Sequence, residues 1–380
     1  MSRTSARRTV LYNLRLGGAT LHPVRWVIIA ALGIPCGLAI ALLLAKLSGH
    51  AGAGRVFLRF LRFVVGFEVL LLAVLALTGF LYERRTRNHD LQLYRPPGKL
   101  VDIGGYRLHI SCLGSSSGSG PTVVLEYGLE ASYFDWRLVQ PQIASFARAC
   151  FYDRGGYGWS DPSPHPRVPS LMAEELHTLL HAAGEKPPYI LVAHSFGSFN
   201  AIMFAHKFPE EVSSLVLVDG SNTLSLRPFP LRQRISLRAM QLMIPFGLPR
   251  WRGWCGGNAP NELRGEKQAI SCRSSLYETF YREREAFSAS VLEIRGIPSL
   301  GTLPLIVIAR DPGLPGAPHE QAAGWQDIQA EKMRISSHAE LVIATGSGHD
   351  IPLARPDVIV AAVKKLTLRL PAPADSRGTP

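Results

Sequence analysis

The chain has 380 residues, 47% hydrophobic and 18% charged, with a formal net charge of +12. It is too apolar for a disordered chain and long enough to bury a sizeable core, and five cysteines are too few for a disulfide-dense secreted mini-fold. The charge is lopsided: residues 1–100 carry 14 Lys and Arg against 3 acids, whereas the remaining 280 residues are almost balanced. A nucleic-acid binder is expected to carry its basic patch on a folded domain. Here the basic residues flank apolar runs, as membrane topology is written, so the expected partner is a lipid bilayer and not a nucleic acid.

Residues 26–45 (WVIIAALGIPCGLAIALLLA) contain no charge, and residues 63–82 (FVVGFEVLLLAVLALTGFLY) are broken only by Glu68. Each run of about 20 residues is long enough to cross the hydrocarbon core as a helix. Residues 1–97 are therefore expected to form a membrane anchor with two spans. Arg3, Arg7, Arg8, Arg15 and Arg25 precede the first run, and Arg84, Arg85 and Arg87 follow the second. These flanks outweigh the basic residues between the runs, so the positive-inside rule assigns both flanks, and with them the catalytic domain, to the cytoplasm.

From residue 98 onward strand and helix patterns alternate. Strands are expected at 99–103, 106–113, 122–126, 148–153, 188–193, 212–219, 304–309 and 341–345, from short apolar runs bounded by turn residues. Helices are expected over 134–147, from Ser170 to 183, over 196–207 and over 356–366. The order implies an α/β fold: a mostly parallel eight-stranded sheet with helices on both faces, opened by an antiparallel hairpin at Gly104-Gly105. About 80 residues between the sixth and seventh strands lack the strand pattern, so 221–303 reads as a helical cap. The domain spans 98–370, and 371–380 reads as a disordered tail.

The chemistry sits where strands end. Ala193-His194-Ser195-Phe196-Gly197 lies between a strand and a helix, the setting of a nucleophile elbow, where a sharp turn lifts a serine hydroxyl above the sheet. Phe196 N–H stands at the start of the new helix, where unpaired donors favour an oxyanion. A serine hydroxyl needs a base, and His349, in a Gly-flanked loop just past the last strand, is the best placed of the 12 histidines. His194 is read as packing beside the elbow. The acid that orients the base is expected between Ser195 and His349. Asp311, just past the seventh strand, is the first choice, with Asp219, Glu320, Asp327 and Glu331 as alternatives. No histidine pair is read as a metal site, and no cofactor is expected. Cys112 and Cys150 fall inside strands and read as core; Cys255 and Cys272 flank a Gly/Asn/Pro-rich loop and either pair or stay free.

With these residues in order, the chain resembles the α/β-hydrolase superfamily in its capped, serine-nucleophile form, over about residues 98–368. Tyr127-Gly128-Leu129 stands where that family has His-Gly-X, and Asp153-Arg154-Gly155-Gly156-Tyr157-Gly158-Trp159-Ser160 matches its D-x-x-G-x-G-x-S. The resemblance implies an oxyanion hole from the backbone N–H groups of Leu129 and Phe196, and a pocket near Tyr127 and His194 under a cap helix bearing Met240 and Leu242. It implies an acyl-enzyme on Ser195 and cleavage of a carboxylic ester with an apolar acyl group. An acyltransferase or a non-catalytic binding protein on the same fold is the alternative.

Overall fold

A computed structural model describes residues 53–115, 120–224, 226, 228–256, 261–314 and 324–369. The expected first span at 26–45 and the tail at 371–380 lie outside them. The larger helices are α1 (Ala53–Leu93), α2 (Pro169–Ala183), α3 (Gly197–Lys207), α4 (Leu231–Met243), α5 (Arg264–Ser271), α6 (Ser274–Glu285), α7 (Phe287–Arg295), α8 (Trp325–Met333) and α9 (Pro356–Arg369). The strands are β1 (Lys99–Asp102), β2 (Arg107–Leu113), β3 (Thr122–Glu126), β4 (Arg148–Asp153), β5 (Tyr189–His194), β6 (Val212–Val218), β7 (Leu305–Arg310) and β8 (Ala339–Ala344). The chain divides into two units, one of residues 1–93 with 242–272 and one of 94–241 with 273–380.

In the second unit the eight strands form one sheet in the order β1-β2-β4-β3-β5-β6-β7-β8. β1 and β2 are antiparallel to their neighbours, and β3 through β8 pair in parallel. Every residue of β3 and β5 is buried, as expected for parallel strands covered on both faces. The chain runs from β3 outward to β4, then returns across to β5 on the other side. At such a reversal the carboxyl ends of neighbouring strands open a crevice, and Tyr127 and Ser195 stand there. Pro169 begins α2, with Ser170 in its first turn, where Ser170 donates to Glu293. Gly184 ends α2 in the left-handed conformation, at φ 78°. The expected helix over 134–147 is broken into a single turn at Tyr133–Trp136 and a short helix at Gln140–Ala144.

The first unit contains the second apolar run. It is helical throughout, and the stretch Leu58–Leu93 is long and apolar enough to cross a membrane. Its 36 residues rise about 54 Å, well beyond a hydrocarbon core of about 30 Å. Phe60, Phe63, Phe67, Leu70, Leu75 and Leu77 are all exposed among the described residues, a broad apolar surface along the helix. Part of the expected cap packs on this helix: a Cβ at Gly79 would stand 2.3 Å from the Phe246 carbonyl oxygen. The Arg250 guanidinium makes a forked pair with Glu83 at 2.8 and 3.0 Å and reaches Asp90 at 2.8 Å. The 221–303 segment is thus not one lid, since 242–272 clusters with α1 while α6 and α7 belong to the sheet-bearing unit.

All four described cysteines are paired. Cys112 and Cys150 face each other across the β2–β4 register and form a disulfide with Cα atoms 4.0 Å apart. They are therefore not the free core thiols that their apolar strands suggest. Cys255 and Cys272 close a second bridge, with Cα atoms 5.2 Å apart.

Candidate active site

Ser195 follows β5 directly and sits at φ 53°, in the left-handed region that non-glycine residues avoid. The turn is held by Ser195 N–H donating to the Val218 carbonyl at 3.1 Å and by Ser198 N–H and Ser221 N–H donating back to the Ser195 carbonyl. It needs small neighbours. A Cβ on Gly197 would stand 2.6 Å from the Tyr127 carbonyl oxygen, and one on Gly128 would stand 2.9 Å from the Ser195 Cβ. Any side chain at either position would separate β3 from the elbow.

His349 meets Ser195. Its Nε2 lies 3.0 Å from Ser195 Oγ, and its Nδ1 lies 2.5 Å from Asp219 Oδ2. Asp219 directly follows β6, is buried, and sits at a strained φ of 40°. Burial alone would raise its pKa. The hydrogen bond and charge of His349, with the charges of Arg310 and Lys332, outweigh this and hold the carboxyl below its ordinary value. An ionised Asp219 only accepts, so the imidazole proton sits on Nδ1, and Nε2 is free to accept from the serine hydroxyl.

The acid at His349 is thus Asp219 and not Asp311. Asp311 Oδ1 accepts from Gly313 N–H and its Oδ2 from Gly346 N–H, both at 2.8 Å, and these bonds lower its pKa. Its own N–H donates to the Ser347 carbonyl at 2.9 Å. Asp311 therefore ties the end of β7 to the loop that carries His349, with both carboxylate oxygens engaged. Glu331, another of the alternatives, accepts from Thr223.

His194 is buried beneath the base and donates from Nε2 to the His349 carbonyl at 2.9 Å. Burial first, and the neighbouring His349 second, push its pKa down to about 3, so it is neutral across the working range. Tyr127 points away from the elbow. Its hydroxyl lies 3.3 Å from Asp153 Oδ1 and accepts from Arg154 N–H at 3.0 Å, so its side chain supports the loop and does not wall a pocket. Met240 is buried, but Leu242 is 71% exposed.

In the sequence Arg154 is one of the unspecified positions of the D-x-x-G-x-G-x-S match. Its guanidinium is buried and donates from Nη1 to the Tyr127 carbonyl at 2.6 Å and from Nη2 to the Gly128 carbonyl at 2.8 Å. It also pairs with Glu126 and, from Nε, with Glu283 Oε1 of α6 at 3.0 Å. The Gly128 carbonyl and the Leu129 N–H belong to one trans peptide and point in opposite directions. Drawing the carbonyl toward Arg154 turns the Leu129 N–H the other way. Neither Leu129 N–H nor Phe196 N–H donates to a backbone carbonyl among the described residues. Phe196 precedes the first turn of α3.

Comparison with known proteins agrees with this architecture. Residues 121–253 match the family described as alpha/beta hydrolase fold. An uncharacterized protein of Bacillus subtilis is 25% identical over 184 residues, which is 48% of this chain and 56% of its own length. The chain spans about half the length of the first curated relatives that it matches. Among solved structures, the enol-lactonase of Burkholderia xenovorans aligns with a TM-score of 0.54 at 18% identity, over 70% of this chain and 99% of its own. A thermophilic esterase of Thermogutta terrifontis aligns with a TM-score of 0.53 at 19% identity, over 71% and 98%. The fold is that of the alpha/beta hydrolases.

Proposed function

We propose that this chain is a serine hydrolase that cleaves carboxylic esters through an acyl-enzyme on Ser195, held at a membrane by α1. The observation that carries this reading is the continuous hydrogen-bonded path Ser195–His349–Asp219 at the carboxyl ends of β5 and β6. Ser195 Oγ attacks the ester carbonyl carbon as its proton passes to His349 Nε2. The oxyanion is received by the N–H groups of Leu129 and Phe196. The intermediate collapses, the C–O bond breaks, and His349 returns the proton to the departing alcohol. Water then repeats the sequence and frees the acid. The complete nucleophile, base and acid favour chemistry over binding alone, and Ser in place of a nucleophilic carboxylate favours acyl over alkyl transfer.

The apolar character of the acyl group is supported by Leu237 and Met240, both buried on α4, and by the neighbouring bilayer. The two disulfides favour an oxidising compartment for the hydrolase domain, against the cytoplasmic side that the arginine flanks suggest. A fluorophosphonate probe tests the mechanism. It should label the wild type and neither Ser195→Ala nor, at a comparable rate, His349→Ala. Turnover of p-nitrophenyl esters should rise from acetyl to medium-chain substrates, by about 0.8 kcal/mol of binding per buried CH₂. Undiminished ester turnover by Ser195→Ala would overturn the reading.

A further inference from the structure

A second cluster of ligand-type side chains lies at the other end of the sheet. Ser195 and Asp219 stand at carboxyl ends of strands, whereas Glu211 immediately precedes the amino end of β6. The length of that seven-residue strand separates the two regions by about 20 Å. His177 and His181 are four residues apart on α2 and so share one face of the helix. The Nε2 atoms of both lie 3.0 Å from the same Glu211 oxygen, Oε1. Phe208 stacks on the His177 ring, with centroids 3.9 Å apart and planes 10° from parallel, which fixes its orientation. The other carboxylate oxygen, Glu211 Oε2, is buried and has no hydrogen-bond partner among the described residues.

We propose that His177, His181 and Glu211 form a transition-metal site suited to Zn²⁺, with water as a fourth ligand. Two imidazoles and a carboxylate are zinc donors, and tetrahedral bonds of about 2.0–2.1 Å place neighbouring donor atoms about 3.3 Å apart. The Nε2–Oε1 separations are already within a few tenths of an ångström of that spacing. As plain hydrogen bonds, the two rings serve one oxygen of Glu211 and leave the other buried and unpaired, which is costly for a carboxylate. A cation between the three groups neutralises that charge. Each ring ligates in its neutral form, with its proton on Nδ1. His181 is half exposed, which gives the ion an entry path.

The site is too far from Ser195 to take part in acyl transfer. It joins the last turns of α2 to the Pro209–Glu211 turn that launches β6, so its role is to staple two elements that already touch. The spacing of His177 and His181 is present in the sequence, but it acquires meaning only with Glu211, which folding brings beside them from 30 residues downstream.

The test uses the full chain in detergent, stripped with a chelator, dialysed against zinc and then against zinc-free buffer, beside a His177→Gln/His181→Gln double variant and Glu211→Gln. Wild type should retain one more zinc per chain than the double variant by elemental analysis. Its melting temperature should rise by about 5 °C with zinc, and that of the double variant should not. Cobalt substitution should give the visible bands of a tetrahedral ion in wild type alone. Circular dichroism reports whether each variant is folded, and the near-isosteric Glu211→Gln decides if the double variant is not. Equal zinc retention and equal cobalt spectra in wild type and in folded Glu211→Gln would overturn the proposal.

Discussion

Asp219→Asn tests which acid serves the base. An amide at this position presents a donor as well as an acceptor to Nδ1 and no charge to stabilise the imidazolium. Ester turnover should fall by about 10⁴-fold with the fold retained, whereas Asp311→Asn should lower the melting temperature more than the turnover, because Asp311 pins a loop. Ester kinetics and thermal unfolding on both variants check this. The two residues also mark what the sequence could reveal. β6 and β7 are each followed directly by an Asp, and chain order allows either to serve His349. The difference arises only when the Asp311 carboxylate folds back onto Gly313 and Gly346, which no local pattern announces. His194 makes a pH prediction. Its pKa is depressed from 6.5 to about 3 in the folded chain, so below pH 6.5 the unfolded state takes up a proton that the folded state refuses. Stability present above pH 6.5 is lost as the pH falls, by about 1.4 kcal/mol per unit. Thermal unfolding at pH 6.5 and pH 5 should show a loss of about 2 kcal/mol from this residue, and His194→Gln, which keeps a donor for the His349 carbonyl, should flatten that slope.

Arg154 is where several elements meet, so its replacement acts on an arrangement and not on one contact. Lys cannot span the Tyr127 and Gly128 carbonyls and also pair with both Glu126 and Glu283, because its ammonium is a single point and not a planar fork. Arg154→Lys should lower kcat by about 10²–10³-fold, the cost of misplacing one oxyanion donor, with KM little changed. Steady-state kinetics on one short-chain ester separates the two parameters. On α1 the informative position is Gly79. A leucine there would drive its side chain into the Phe246 carbonyl, costing about 1–3 kcal/mol. It should loosen the 244–251 segment, seen as faster tryptic cleavage at Arg250 and Arg252 in detergent. Elements of this kind were legible in part. The eight strands stand out because each is a short apolar run between turn residues. The Cys112–Cys150 bridge does not, since a cysteine in an apolar strand looks like core until the β2–β4 register sets the two face to face.

At the scale of the whole molecule, the proposed anchor rests on the apolar side chains that α1 exposes, and such an anchor is held by burial in lipid and not by charge. Full-length protein should stay in the membrane fraction through a carbonate wash, and a chain starting near Arg95 should be released; release of the intact chain by salt alone would contradict the anchor. Compartment is read by cysteine chemistry. A membrane-impermeant maleimide added to intact cells or vesicles should modify Cys255 and Cys272 only after reduction, and the oxidised and reduced chains should differ in gel mobility. Labelling of Cys255 and Cys272 without reductant, and only once the membrane has been opened, would return the domain to the cytoplasmic side.

The Arg154–Glu283 pair has a bearing on how such enzymes are recombined. Glu283 lies on α6, in the helical stretch between β6 and β7, whereas Arg154 follows β4 beneath the Tyr127–Leu129 loop. A laboratory graft that replaces this stretch with one from a relative, in the hope of importing a new specificity, removes an anion from under a buried cation. Unless the donor segment returns a carboxylate to the same spot, buried Arg154 keeps Glu126 but loses the partner that engages its Nε and Nη2. The chimera should then fail by instability before its specificity can be measured, so compatibility at this one position is a better guide to exchangeable segments than overall similarity in length.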